Sequence, residues 1–182
     1  AGTINGLVEN HLGGACNGSY SVRIGKTTDA GSLSRNALDL YLDLSAYSQV
    51  ELTFTVSSFF DETQNFDGIY FNSDSSNQNG FVKVFDFKTS VWCQNNCGTF
   101  PPLDVDSMAA SHGVLLSNKF VIRFQQSGTG DFNTSGDDDG IILDDVKVIS
   151  PQLVTYSTIP FADNFDNNAP GMGNMWRWVF AD

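Results

Sequence analysis

The sequence predicts an all-β protein, a two-layer antiparallel β-sandwich of the jelly-roll type with one short helical turn. Several runs alternate apolar and polar residues with a period of two, as half-buried strands do. Segments rich in Gly, Ser, Asn, Thr and Asp separate these runs, and no long helical pattern lies between them. A chain with this many short strands must pair or cover its sheet edges, and a jelly roll does so.

The first three predicted strands have the clearest alternation. Their inward positions are, in chain order, Tyr20, Val22 and Ile24; Leu38, Leu40, Leu42 and Leu44; and Val50, Leu52, Phe54 and Val56. Two further strands are predicted over residues 68–72 and 81–87. Residues 104–113 predict a short helical turn, because Asp104 is a good N-cap and Gly113 a good terminator. The last two strands of the sandwich are predicted over residues 119–126 and 141–149.

The domain organisation has one unusual feature, the segment after the last predicted strand. Residues 1–150 suffice for the sandwich, and residues 151–160, with prolines at both 151 and 160, are a connector. Residues 161–182 resemble the opening of a domain, and their large apolar side chains would be costly to expose. We therefore predict a tail strand that complements a neighbouring copy or its own core, through Phe161, Phe165, Met175, Trp176, Trp178 and Phe180.

Charge and hydropathy exclude some partners. The formal net charge is −12 and the isoelectric point about 4.2, which disfavours binding to nucleic acid or to an anionic membrane surface. Apolar runs fall short of the ~18 residues that suggest a bilayer span, so no membrane insertion is expected. The low content of charged residues, 16%, is typical of extracellular β-proteins. We expect an extracellular or cell-surface location.

Three cysteines bear on the compartment. Cys93 and Cys97 are close in sequence on a polar loop and predict a small disulfide, which would indicate an oxidising environment. A metal site at this pair lacks further ligands nearby. Cys16 is interpreted as a buried thiol, with an intermolecular bridge as the alternative.

Two acidic clusters flank predicted strands and could supply oxygen ligands to Ca²⁺ if the strand ends meet. The alternative is that these loops are simply solvated. Paired carboxylates also suit a glycosidase, but no catalytic motif accompanies them, and neither histidine lies in a nucleophile motif. We therefore predict no enzyme activity and a structural Ca²⁺ site drawn from Asp61, Glu62, Asp67, Asp139, Asp144 and Asp145.

Aromatic residues near loops are candidates for stacking on sugar rings. Most of the fifteen Phe residues are expected in the core, so the best exposed candidate is Trp92, beside the predicted disulfide loop.

Taken together, these segments resemble a family of extracellular jelly-roll modules that is similar to MAM domains and reelin repeats and is common in secreted bacterial proteins. The resemblance rests on residues 17–24, 42–54, 67–71, 121–126 and 139–146. Such modules open with a Phe, an acidic residue and a later Trp, which here match the segment from Phe161 to Trp178. The chain therefore looks circularly shifted, with its opening strand at the C-terminal end.

The resemblance implies a non-catalytic module for adhesion, surface assembly or glycan binding, often with a structural Ca²⁺. Carboxylates of the last strand and of a mid-chain loop would be its ligands. We predict a subunit of a head-to-tail fibre or a tandem-repeat surface protein that binds copies of itself by donating the tail strand. The alternative is a carbohydrate-binding module of a secreted enzyme or adhesin.

Overall fold

A computed structural model describes the chain over residues 6–12, 16–26, 33–59, 65–87, 97–128, 140–151, 161–163 and 176–181. These residues form mainly β-strands and one short helix. The elements are β1 (Gly6–Leu12), β2 (Tyr20–Lys26), β3 (Ser34–Leu42), β4 (Glu51–Phe59), β5 (Gly68–Asn72), β6 (Val82–Asp86), β7 (Gly98–Thr99), β8 (Leu103–Asp104), α1 (Val105–Ser111), β9 (Phe120–Gly128), β10 (Gly140–Ile149), β11 (Phe161–Asp163) and β12 (Trp176–Ala181).

The strands form two antiparallel sheets. The first sheet has the order β1-β2-β10-β4-β7, with β11 also paired to β10 and β8 also paired to β4. The second has the order β12-β3-β9-β5-β6. From β2 to β5 the chain alternates between the two sheets, as it does in a jelly roll. The predicted all-β sandwich is confirmed.

The core lies between the two sheets. Phe54 of β4 packs edge-on against Phe124 of β9, with ring centroids 5.4 Å apart, so the facing layers interdigitate. The inward positions predicted from the alternation are confirmed for the second and third runs, because Leu38, Leu40, Leu52 and Phe54 are all buried. This apolar interior is the main source of stability that the sequence encodes.

The predicted helical turn is confirmed. Asp104 is the N-cap of α1, and its carboxylate accepts a hydrogen bond from the Ser107 backbone N–H at 2.9 Å. Gly113 follows the helix with φ of +70°, a left-handed conformation that glycine adopts without strain.

The first strand was not predicted. Residues Gly6–Leu12 pair with β2 along their whole length, from Gly6 opposite Lys26 to Leu12 opposite Tyr20. The three consecutive polar residues Glu9, Asn10 and His11 interrupt the alternation, so the strand signal is weak. No strand was predicted before Tyr20, whereas pairing with β2 outweighs the weak local propensity of Gly6–Leu12.

Candidate functional site

Each of the two tail strands is paired within a sheet of its own chain in this structure: β11 belongs to the first sheet and β12 to the second. β11 pairs with β10, with Phe161 opposite Val148 and Asp163 opposite Val146. β12 pairs with β3 over six residues, with Trp176 opposite Leu40 and Trp178 opposite Leu38. The predicted tail positions on β11 and β12 are Phe161, Trp176, Trp178 and Phe180, whereas Phe165 and Met175 lie outside the described residues.

β12 is the end strand of the second sheet and its neighbour is β3. Without β12, one side of β3 would present unpaired N–H and C=O groups. β3 is a central part of the core, since Ala37, Leu38 and Leu40 are at most 1% exposed. The side of β3 that β12 occupies, from Arg35 to Leu40, is called the β3 slot below.

One residue of the β3 slot belongs to a buried ion pair. Asp39 of β3 lies opposite Arg123 of β9, and the guanidinium donates to both carboxylate oxygens, at 2.7 Å from Nε and 2.9 Å from a terminal nitrogen. Asp39 is 0% exposed and Arg123 is 7% exposed. The Phe81 ring lies 3.6 Å from the Arg123 guanidinium and shields it from water. A bidentate pair in this setting fixes the position of both side chains.

A second polar cluster, the Asp144 junction, lies on β10. β2 pairs with β10 up to Leu143, and β11 pairs with β10 from Val146 onward, so Asp144 falls between these two partners. One oxygen of Asp144 accepts hydrogen bonds from the backbone N–H groups of Cys16 and Asn17, both at 2.9 Å. Asp144 thereby attaches the connection before β2 to the middle of β10.

The strand is irregular at this junction. The register of β10 against β4 shifts between Asp144 and Lys147, which is a β-bulge, and Asp145 has φ of +48°. The second oxygen of Asp144 accepts the Asp145 backbone N–H at 2.8 Å. Burial raises the pKa of Asp144, and the hydrogen bonds from Asn17, Asp145 and Cys16 oppose that rise.

The disulfide prediction was wrong. Cys97 is bonded to Cys16, with the two Cα atoms 5.3 Å apart, and Cys93 lies outside the described residues. Cys97 directly precedes β7, which pairs with β4, while Cys16 is held at Asp144 on the adjacent β10. Sheet pairing therefore brings together cysteines separated by 81 residues, which local spacing could not indicate.

The six predicted Ca²⁺ ligands do not form one described cluster. Asp67 is buried beside the second sheet, where it accepts hydrogen bonds from the Ser127 backbone N–H and hydroxyl at 2.7 and 2.6 Å. Asp144 and Asp145 belong to the first sheet. Asp61, Glu62 and Asp139 lie outside the described residues. Among the residues that the structure describes, no group of three or more His, Cys, Asp or Glu side chains could hold a metal ion.

The outer side of the second sheet carries a cationic and aromatic group. The Arg35 guanidinium lies 3.5 Å from the centroid of the Phe66 ring, which is 37% exposed. The Phe66 carbonyl accepts hydrogen bonds from the Tyr70 hydroxyl at 3.0 Å and from the Gln125 side chain at 2.7 Å. Burial is the main cause that raises the pKa of Tyr70, with Asp67 adding to it and Arg35 opposing it. The predicted glycan contact, Trp92, lies outside the described residues.

Sequence reasoning missed the buried pair of Asp39 and Arg123. A signal was present, because Asp39 interrupts a run of leucines and Arg123 interrupts a run of large apolar residues. Charged residues in the middle of such strands are rarely buried without a partner. The partner itself could be identified only from the register between β3 and β9.

No protein-family model, no curated protein and no solved structure matches this chain. In the parts of the chain that the structure describes, no helix has the length and apolar character needed to cross a bilayer.

Proposed function

We propose that this chain is a non-catalytic structural module of the extracellular space or cell surface, and that its tail strand completes the sheet of a neighbouring copy in a head-to-tail fibre or tandem array. The observation that carries the proposal is the pairing of β12 with β3 along six consecutive residues. A strand at the end of a sheet, joined through residues 164–175 to the rest of the chain, is the kind of element that β-strand addition uses.

The β3 slot makes the same backbone hydrogen bonds whichever copy supplies β12. Because Leu38 and Leu40 are core residues, an unfilled slot would be an aggregation-prone edge, so one tail per slot is needed. When the tail of one copy fills the β3 slot of the next copy, the β3 slot of its own chain is left for the tail of the preceding copy. Such a contact is heterologous, and it generates an open filament when its rotation does not close into a ring.

Extracellular placement is supported by the bond between Cys16 and Cys97, since disulfides persist mainly in oxidising compartments. Adhesion and surface assembly also accord with the resemblance to MAM-like and reelin-like modules, which remains a proposal.

Tail donation can be tested by disulfide trapping, because Val179 lies opposite Ala37 in the register. One copy carries Ala37→Cys and a second, differently tagged copy carries Val179→Cys, both with Cys93→Ser. The two full-length chains are unfolded, refolded together and oxidised. We expect a disulfide-linked heterodimer, joined between positions 37 and 179, in non-reducing gels and in peptide mass spectra.

The matched control replaces Ala37→Cys with Ser45→Cys, an exposed position outside the β3 slot that reports random collision. A third protein with both Ala37→Cys and Val179→Cys reports pairing within one chain. If only this double variant forms the bond, and mixed chains link no better than the Ser45→Cys control, the tail remains in its own sheet and the proposal fails.

A second candidate function, glycan binding, is favoured by the group around Phe66. A partly exposed aromatic ring beside the Arg35 guanidinium and the Tyr70 hydroxyl offers a stacking surface with nearby polar groups. The test is a broad glycan array followed by titration calorimetry. Phe66→Ala should abolish any saturable signal, and Leu115→Ala, a 75% exposed residue at a distant loop, should leave it unchanged.

A structural Ca²⁺ also remains a proposal. Asp144 already accepts three backbone N–H groups, so Asp145 is the better candidate ligand among the described residues of the Asp144 junction. Carboxylate and carbonyl oxygens are the ligands that Ca²⁺ prefers. A rise in melting temperature on adding Ca²⁺ to EDTA-treated protein, lost in Asp145→Ala, would support the site. Identical melting curves with Ca²⁺ and with EDTA would contradict it.

A further inference from the structure

The β3 slot has a charged residue at its centre. Asp39 lies between Leu38 and Leu40, and all three are at most 1% exposed. A carboxylate in such surroundings is strongly disfavoured without cationic partners, and Arg123 of β9 supplies one on the side away from the slot. The slot therefore presents the order apolar, acidic, apolar to an incoming strand.

β12 has the complementary order. Arg177 lies opposite Asp39, while the tryptophans at 176 and 178 lie opposite Leu40 and Leu38. Residues that are directly opposite in an antiparallel pair share a face, and opposite charges at such positions are favourable. A slip of one residue would instead place a tryptophan opposite the buried carboxylate and Arg177 opposite a leucine.

The position of this arginine is notable against the composition. The chain contains only nine Lys and Arg residues against twenty-one Asp and Glu, yet two arginines, Arg123 and Arg177, lie on the strands on either side of Asp39. The strands β1, β4 and β8 each carry an acidic residue and no Lys or Arg. Strands with a central acidic residue would meet Asp39 as a like charge, which disfavours the wrong partner.

We propose that Asp39 and Arg177 form a charge code that sets the register of β12 and selects which strand enters the β3 slot. The selected occupant is residues 176–181 of a second copy of this chain, with the order aromatic, cation, aromatic. The identity of that donor copy rests on the proposed function, whereas the charge code applies equally to a tail in its own sheet.

The test measures the disulfide bond between positions 37 and 179 in full-length protein with Cys93→Ser. It uses the Ala37→Cys, Val179→Cys double variant, which reports the tail of the same chain, and the mixture of single variants, which reports the tail of a second copy. Each is prepared with Arg177, Arg177→Lys and Arg177→Glu. Lys119→Glu is the control, because it changes the net charge by the same amount at an exposed site outside the slot.

Arg177→Glu should lower the yield of the bond at least tenfold, Arg177→Lys should retain it within about twofold, and Lys119→Glu should leave it unchanged. Moving the second cysteine from 179 to 178 or 180 detects a slipped strand, and we expect these bonds to appear with Arg177→Glu. Circular dichroism of each variant verifies that the sandwich is folded.

The charge code is overturned if Arg177→Glu forms the 37–179 bond as efficiently as Arg177. The outcome for the proposed function is separate. An Arg177-dependent bond in the double variant, with none between mixed chains, would uphold the charge code and refute tail donation. Bonds between mixed chains that form equally well with Arg177 and with Arg177→Glu would uphold tail donation and refute the charge code.

Discussion

The Asp144 carboxylate of β10 accepts a hydrogen bond from the Asn17 backbone N–H, 127 residues earlier in the chain, at 2.9 Å. The same oxygen accepts the Cys16 N–H, and Cys16 is bonded to Cys97. One buried side chain and one covalent bond thus fix the connection before β2 to β10 and, through Cys97, to the start of β7, which pairs with β4. Four predictions concern this junction and the β3 slot.

Asp144→Ala should destabilise the protein strongly. The substitution leaves the N–H groups of Cys16, Asn17 and Asp145 without their acceptor, and part-buried donors that lose their acceptor are costly. We expect a loss on the order of 3 kcal/mol in the free energy of unfolding by urea. Asp43→Ala, at an exposed carboxylate between β3 and β4, is the control and should have a far smaller effect. Equal losses in the two variants would contradict the role assigned to Asp144.

The pH dependence of stability should change in Asp144→Asn. Burial raises the pKa of Asp144 in the folded protein, so the folded state binds that proton more tightly than the unfolded chain does. Its stabilising contribution is therefore fully present below the unfolded pKa of about 3.9 and is lost as the pH rises through the folded pKa.

The free energies of unfolding of wild type and Asp144→Asn should be measured in EDTA from acid to neutral pH. The wild type should lose stability relative to Asp144→Asn as the pH rises. Asp74 and Asp104, whose pKa values are lowered by hydrogen bonds from Ser76 and Ser107, contribute in the opposite direction, and the difference between the two proteins removes them. Parallel pH profiles would be inconsistent with a raised pKa at Asp144.

Loss of the disulfide should destabilise the fold. For a separation of 81 residues, the loop-entropy relation gives about 4.5 kcal/mol for Cys16→Ser with Cys97→Ser. Non-reducing peptide maps should contain the linked peptides of Cys16 and Cys97. Cys93→Ser is the matched control and should leave both the map and the stability unchanged. A linked peptide of Cys93 and Cys97 would contradict the structure.

Breaking the buried ion pair should cost more than replacing it. Asp39→Ala or Arg123→Ala leaves an uncompensated buried charge, and each should lower the free energy of unfolding by about 3–5 kcal/mol. Asp39→Leu combined with Arg123→Leu should lose less than the sum of the two alanine substitutions. Lys83→Ala, which removes a more exposed ion pair with Asp86, should cost under about 1 kcal/mol. If the double leucine variant lost as much free energy of unfolding as the two alanine variants together, the result would contradict this prediction.

The sandwich and most of its strands could be predicted from the sequence because the signal is local. Alternation in Val50 to Val56 needs only the pleat of a strand and one buried face. The cap of α1 by Asp104 is equally local, since it involves a residue three positions away. β1 escaped prediction because its polar centre gives no alternation, and its pairing with β2 decides its conformation.

The candidate site depended on distant contacts and was predicted only in part. Asp144 was predicted as a Ca²⁺ ligand because of its charge. Its hydrogen-bond donors are backbone N–H groups of residues that carry no sequence signature for that role. Cys97 was expected to pair with its near neighbour, whereas the sheet order brings Cys16 to it. Sequence spacing carries information about turns, and it cannot give the register between strands that lie far apart in the chain.

The Cys16–Cys97 bond also has a mechanical consequence. It closes a covalent ring that contains β2, β3, β4, β5 and β6, while β11 and β12 lie outside the ring. In the proposed array, the ring would limit how far each unit can lengthen under tension, and the six-residue pairing of β12 with β3 would bear the load in shear.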